Sequence, residues 1–322
     1  MLTQTELTEA ANAVTGASEV ALACHVGPDG DALGSMLAFH HLCLDNGQKS
    51  VASWSEPFVV APHYRFLPGL DRLTKPADFP SHPEVMVTFD CGSIDRLGDL
   101  AVAARQADHL IVVDHHVTND RYGSINLIDC DAAASAVVVR RLVECLGWEL
   151  TPEAALCLYT GLVTDTGRFQ YANTTPSVFA LATELSNFDL PIASMTRQLF
   201  EQHSFSYLRL VGDCLSRAEL DRERRFVATW IMGEDLDRYG VDLDETEGMI
   251  DLVRRVAEAD VSCVLKEVSG GVRVSLRAVS DVDVSAIAAR FGGGGHRFSA
   301  GFTCPGTVPE VLAAIKAALP AH

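Results

Sequence analysis

Four short stretches of the chain crowd acidic and imidazole side chains at points where apolar runs end. "HVGPDGDALGS" carries His25, Asp29 and Asp31, "TFDCG" closes an apolar run with Asp90, "VVDHHVTND" closes another with Asp114, His115 and His116, and "GLVTDTGRF" puts Asp165 at the end of an apolar helix. One carboxylate where a strand hands over to a helix is ordinary, because the positive end of the helix dipole favours it. Taken singly, each of these acids reads as a helix cap or a turn former. Together they need another account, since burying so many carboxylates in one place is costly unless cations neutralise them. Oxygen and imidazole donors without thiolate suit Mn2+, Mg2+ or Zn2+. So many donors suggest two ions sharing one bridging carboxylate. Such a pair can lower the pKa of a bridging water and clamp a phosphate in line for attack. The mid-helix histidines His40 and His41, and His63, His82, His109, His203 and His322, lack acidic company and read as structural.

The elements that must position these groups follow from the apolar pattern. "EVALACH" (19–25), "SVASWS" (50–55), "VMVTFD" (85–90) and "HLIVVDHH" (109–116) read as buried strands, and "GDALGSMLAFHHLCLDNG" between the first two reads as a helix with a Gly47 stop. Strands alternating with helices imply a mostly parallel sheet flanked by helices, whose ligands sit at the carboxyl edge of the strands. Three of the four strands end in the acids and histidines named above. The second ends in nothing ionisable before Glu56. From Ala132 to about Leu220 the pattern is helical. A second, smaller α/β unit begins near Arg224, with strands "RFVATWIM", "VSCVLKEV" and "GVRVSLRAV", a helix "VSAIAARF", a loop "GGGGH", a strand "RFSAGFTC" and a last helix "VPEVLAAIKAAL". The expected organisation is a metal-binding domain over 1–190, a helical connector over 191–222 and a mixed-sheet domain over 223–322.

Bulk composition narrows the partners. The chain has 322 residues, 48% of them hydrophobic, and 25 Lys plus Arg against 43 Asp plus Glu, a net charge of −18. Such acidity disfavours long duplex nucleic acid and anionic membranes, which are bound through basic surface. A small phosphorylated ligand stays open, because bound cations invert the local field. Nine cysteines at irregular spacing, with no C-x-x-C pair, read as free thiols of a reduced, cytoplasmic protein. No stretch resembles a signal peptide or a membrane span.

The same motifs carry a resemblance. "HVGPDGDALGS", "FDCG", "DHHVTND" and "GLVTDTGRF" resemble, in order, the four signature motifs of the DHH phosphoesterase superfamily, and "SLR" with "GGGGH" resembles its DHH-associated C-terminal domain, DHHA1. The likeness covers nearly the whole chain. It is nearest to the short branch of NrnA-like nano-RNases, which also act as 3′-phosphoadenosine 5′-phosphate (pAp) phosphatases, and of cyclic di-AMP phosphodiesterases. That resemblance implies two divalent ions, Mn2+ first and Mg2+ second. His25 and Asp29 would hold one ion, Asp31 the other, and Asp90 would bridge them. His115 and Asp165 would complete the set of donors around the second ion. Asp114 would orient a neighbouring histidine, and His116 would face the substrate phosphate as donor or proton source. Arg277 and the backbone of Gly292, Gly293, Gly294 and Gly295, with His296, would grip the nucleotide end. The implied substrates are nano-RNA of two to five nucleotides, pApA, cyclic di-AMP and pAp, and relatives imply a homodimer. Many relatives carry a basic residue two places after the Phe of the fourth motif, whereas here Gln170 stands there and Arg168 precedes Phe169. RecJ-type exonucleases carry extra modules for long single strands, for which this chain has no room. Two rival readings rank below this one. A manganese pyrophosphatase expects a Lys/Arg-rich C-terminal signature that "SLRAVSDVD" lacks, and an inactive nucleotide-binding sensor would have lost donors that are all present here.

Overall fold

The structure of the chain, a computed structural model, describes residues 2–319. It divides between Leu199 and Phe200 into two compact units. The first opens with α1 (Gln4–Gly16), started by a reciprocal capping box between Thr3 and Glu6. Then follow β1 (Val20–Cys24), α2 (Gly30–Asp45), β2 (Ser50–Ser53), β3 (Val85–Phe89), α3 (Ala101–Gln106), β4 (His109–Asp114) and β5 (Ile125–Ile128). Helices α4 (Ser135–Leu146), α5 (Pro152–Asp165), α6 (Pro176–Ser186) and α7 (Ile192–Phe200) complete the run.

The five strands form one all-parallel sheet in the order β2-β1-β3-β4-β5. β1 and β3 are buried at every residue, as strands covered on both faces must be. This order contains a switch point: the chain leaves β1 for one edge of the sheet and returns at β3 to build towards the other. The crevice that opens at the carboxyl ends of β1 and β3 is where such sheets accept ligands. His25 and Asp90 are the first residues beyond those two strands. The sequence pattern missed α1 and β5. β5 is a four-residue edge strand with a polar Asn126 inside it, too short for periodicity to register.

The second unit contains α8 (Phe205–Ser216), β6 (Glu219–Asp221), β7 (Phe226–Ile231), α9 (Gly233–Tyr239), α10 (Met249–Val253), β8 (Val261–Val268), β9 (Gly271–Ala278), α11 (Val284–Ala289), β10 (Gly294–His296), β11 (Ser299–Cys304) and α12 (Val308–Ala318). Its sheet has the order β10-β11-β9-β8-β7-β6, parallel only between β7 and β8. One face packs Ala228, Cys263, Leu265, Val274, Leu276 and Phe302 with the residues of α11 and α12. On the opposite face Val227, Ile231 and Val264 pack with Tyr207, Leu210, Met249 and Ile250. The helical stretch 194–220 is broken at Glu201–His203, and Ser204 caps α8 by accepting a hydrogen bond from the Tyr207 N–H. The "GGGGH" stretch, read as a loop, is half strand: Gly294–His296 pair antiparallel with Ser299–Gly301. Among the described residues no helix is long and apolar enough to cross a membrane.

Candidate active site

Asp29 and Asp31 take different places at the start of α2. Asp29 is the N-cap, and its Oδ1 accepts from the N–H groups of Asp31 (3.1 Å) and Ala32 (3.0 Å). Asp31, fully buried in the first turn, reaches across to α4. That helix begins after Ala134, which has no side chain to cap it. Asp31 does so from outside, accepting from the N–H groups of Ser135 and Ala136 and from the Ser35 hydroxyl. Helices α2 and α5 meet closely enough for this because glycines line their contact. A Cβ on Gly34 would stand 2.4 Å from the Cys157 carbonyl oxygen, and one on Gly161 2.7 Å from Asp31 Oδ1.

Asp90 is the hub. It sits just past β3 with φ +53°, in the left-handed region that Asp tolerates better than most residues. Its N–H still donates to the Val113 carbonyl, so the turn is held by the ladder. The two carboxylate oxygens then face different partners. Oδ2 lies 3.7 Å from His25 Nε2, which is also 3.8 Å from Asp29 Oδ2. Oδ1 lies 3.5 Å from His115 Nε2 and accepts from the Ser135 hydroxyl at 2.9 Å. His115 Nε2 is in turn 3.9 Å from Asp31 Oδ2 and 3.2 Å from Asp165 Oδ2. Asp165 ends α5, where the helix dipole disfavours an anion, so its placement requires a cationic or imidazole neighbour.

The histidines are set for donation through Nε2. His25 Nδ1 lies 3.0 Å from its neighbour's carbonyl, Val26 O, and His115 Nδ1 lies 3.1 Å from the Ala132 carbonyl. A carbonyl can only accept, so Nδ1 carries a proton in either state and Nε2 is the atom turned to the carboxylates, its lone pair becoming free for a cation once its own proton is lost. His25 Nε2 is buried without a hydrogen-bond partner. Such an orphan is expensive unless a ligand meets it. The donor atoms of His25, Asp29 and Asp90 form one cluster and those of Asp31, Asp90 and His115 another, with Asp90 common to both. Hard oxygen and imidazole donors, an orphaned Nε2 and a shared carboxylate fit divalent cations.

Asp114 lies beside the hub, its carboxylate forming a further cluster with Asp90 and His116. Its Oδ1 accepts from the N–H groups of His115 (2.8 Å) and His116 (3.3 Å) and from His116 Nδ1 (2.7 Å), and its Oδ2 accepts from the Asn119 amide. Asp114 thereby fixes the ring of His116. The protonation balance reflects this crowding. Burial raises Asp31 well above the usual carboxylate range, and the neighbouring Asp90 and Asp165 add to it. Burial opposes ionisation of Asp90 too, yet His25, His116 and His115 hold its carboxyl far below that range. Against their own burial, His25 is drawn up to about 9 by Asp29 and Asp90, His115 well above its ordinary value by Asp165 and Asp90, and His116 upward by Asp114 and Asp90. Protons on the imidazoles balance the acids where cations would.

Ser135, Ser35 and Asn119 belong to the site, and sequence reasoning missed them. Asn119 had a signal, five residues after Asp114 in the same motif. Ser135 had none, since only the packing of α4 on α2 makes it a partner. After Asp165, Gly167, Arg168 and Phe169 all have positive φ, of 54°, 62° and 62°. Two consecutive non-glycine residues in that region mark a strained turn of the kind functional sites retain. Phe169 stacks on Phe179 with ring centres 5.5 Å apart. In the second unit, register sets Arg277 opposite Ser299, and Ser299 opposite His296, so the three share one face. Gly293 is required by the fold itself, since a Cβ there would lie 2.2 Å from the Gly301 carbonyl oxygen. Gly294 has open space where a side chain would be.

Comparison with known proteins agrees with this architecture. Residues 19–162 match the DHH family, N-terminal domain, and residues 225–321 match the DHHA1 domain. The chain is 33% identical over 285 residues to the bifunctional oligoribonuclease and PAP phosphatase NrnA of Thermus thermophilus, covering 88% of this chain and 84% of that protein. It is 25% identical over 281 residues to the protein of that name from Bacillus subtilis, covering 86% of each. An exopolyphosphatase-related protein from Bacteroides fragilis shares the fold, with a TM-score of 0.91 and 23% identity over 99% of this chain and 96% of that one. With these matches across both units, the chain belongs to the DHH–DHHA1 phosphoesterase family, hydrolases of phosphoester bonds.

Proposed function

We propose that this protein hydrolyses short oligonucleotides and small nucleotides to 5′-mononucleotides, using two divalent cations held by its own carboxylates and imidazoles. The observation that carries this reading is Asp90, which turns one oxygen to His25 and the other to His115. His25, Asp29 and Asp90 would hold one ion, and Asp31, Asp90, His115 and Asp165 the other. Mn2+ is the first candidate and Mg2+ the second. When bound, the ions supply Lewis acidity toward a phosphate and lower the pKa of water at the site.

The chain's own residues supply orientation and a proton. Asp114 pins Nδ1 of His116, so the ring's other nitrogen, Nε2, can be turned to a leaving oxygen. Its pKa, raised by Asp114 and Asp90 against burial, keeps the imidazolium populated near neutrality as a general acid. Ser135 and Ser35 hold Asp90 and Asp31 in one rotamer each and so fix where the donors point. Arg277, His296 and the open backbone of Gly294 form the part of the second unit that would hold the nucleotide end. The open space at Gly294 supports that assignment, because a backbone N–H can approach a phosphate where no Cβ intrudes. Preferred substrates are short RNA, pApA and pAp, of which the first and last match the oligoribonuclease and PAP phosphatase activities named for the Thermus thermophilus and Bacillus subtilis relatives. Cyclic di-AMP is a further candidate. All nine cysteines are free, which supports a reducing, cytoplasmic location.

Chromatography of products from pAp, pApA, cyclic di-AMP and a short RNA ladder, with Mn2+ supplied, tests the proposal. Mononucleotide release from at least one of them is expected, with Asp31→Asn and Asp90→Asn folded but nearly inactive. Full turnover in both variants, or no release from any substrate, would refute it.

A further inference from the structure

The sheet of the second unit has one face that changes character partway across. Over β7 and β8 it is apolar and covered, by way of Val227, Ile231 and Val264. Towards β9 and β11 the same face turns polar. Register aligns Lys266 with Arg273, Val264 with Ser275 and Ser262 with Arg277, and continues on β11 with Thr303, Gly301 and Ser299. Arg273 and Thr303 are exposed, and Ser275, Arg277 and Ser299 are half-buried, while Val272, Val274, Leu276, Ala300 and Phe302 on the reverse are buried in the core. The alternation is strict, so the polar side chains all stand on one surface.

The charge on this surface is opposite to that of the chain. Lys266, Arg273 and Arg277 face Glu247, which lies 2.9 Å from Lys266 Nζ and 3.5 Å from Arg273 Nη1 and whose ionisation Arg277 also favours, and Asp244 adds a weaker favourable field at Lys266. The Lys266 side chain is only 2% exposed, so Glu247 is committed to it, a buried ammonium being costly without a counterion. Three cationic groups thus face two carboxylates, a local positive excess on a protein of net charge −18. A strand advances about 3.3 Å per residue and alternates faces, so Arg277, Ser275 and Arg273 stand in a row with about 6.7 Å between successive members. That spacing is comparable to one nucleotide step of an extended chain.

We infer that Arg273, with Ser275 between, is a second phosphate subsite one or two nucleotides beyond Arg277, and that it sets the preference for oligonucleotides over mononucleotides. The occupant is the phosphodiester backbone of the substrate. Guanidinium forks and a strand hydroxyl recognise phosphate oxygens, and nothing in the row reads a base. The inference rests on the reading of Arg277 as a substrate contact.

The experiment compares pAp with a 5′-phosphorylated RNA trinucleotide for the parent protein, Arg273→Gln and Arg273→Lys, over a series of salt concentrations. For Arg273→Gln the ratio of the trinucleotide KM to the pAp KM is expected to rise about ten-fold, and the salt slope for the trinucleotide to fall by about 0.7, the contribution of one single-strand phosphate contact. Arg273→Lys, which keeps a point charge, is expected to restore most of the slope and part of the KM ratio. An unchanged ratio, or equal losses on both substrates, would overturn the subsite and leave the general function standing. Absence of turnover on both substrates in the parent protein would remove the underlying reading and this inference with it.

Discussion

Asp114 makes four hydrogen bonds, accepting from two backbone N–H groups, one imidazole and one amide. A residue so placed acts through His116. Replacing it by Asn keeps the shape but cannot accept from His116 Nδ1–H with a charged oxygen. Asp114→Asn should therefore lower kcat by about 10- to 100-fold, the usual cost of losing such an orienting carboxylate. Its pH–rate profile should also shift to lower pH, because the group that holds up the His116 pKa has been weakened. Steady-state kinetics between pH 5 and 9 would check both effects, and a kcat drop with no change in the profile would mean that Asp114 serves the fold alone. Asp90 is the complementary case. Its backbone is held at positive φ, its oxygens point two ways, and nothing in its local sequence beyond "FDCG" announces either feature.

At the scale of elements, α2 and α5 carry the site between them, since Asp29 and Asp31 start one and Asp165 ends the other. Their approach depends on Gly34, where a methyl group would meet the backbone oxygen of Cys157 at 2.4 Å. Backbone cannot step aside as a flexible side chain does, so Gly34→Ala must push the helices apart. The expected cost is about 1–3 kcal/mol of stability, with weaker metal affinity because Asp31 and Asp165 separate. Urea unfolding together with metal titration would check this, and unchanged values of both would sink it. The same helix buries His40, whose Nε2 has no partner. Burial, then the neighbouring His41, depresses its pKa from 6.5 to about 4. The folded state thus binds this proton less readily than the unfolded one. The stability is fully present above about pH 6.5 and is lost as pH falls towards 4, by about 3 kcal/mol at most. The difference in unfolding free energy between the parent and His40→Gln, followed from pH 7 to pH 4, should shrink accordingly; a constant difference would contradict it.

For the whole molecule, cation binding and protonation compete for the same atoms. His25 and His115 hold protons strongly in the cation-free protein, and a coordinating imidazole must give its proton up. Binding Mn2+ near pH 7 should therefore release protons and stabilise the fold, by about 2.7 kcal/mol at a hundred-fold excess over Kd. Calorimetric titration in two buffers of different ionisation enthalpy would reveal the release. Identical heats in both, or a Tm indifferent to Mn2+ and to chelator, would argue against a cation site of this composition. The net charge of −18 adds a second expectation at this scale: retention of long duplex DNA should be undetectable at physiological salt, however well short substrates are cut.

The sequence alone was enough for four of the five parallel strands, because burial leaves near-continuous apolar runs, and for the acids at the ends of three of them, because such residues are out of place there. Gly294–His296 escaped it, since glycines carry no periodicity and the pairing with Ser299–Gly301 is non-local. So did Ser135, which matters only because α4 lays its uncapped start against Asp31. Residue type and position say which groups have chemistry to offer. Which oxygen of Asp90 faces which imidazole, and which strand stands beside Arg277, depend on strand order, register and close helix contact, and those arise only when distant segments bury their apolar surface together.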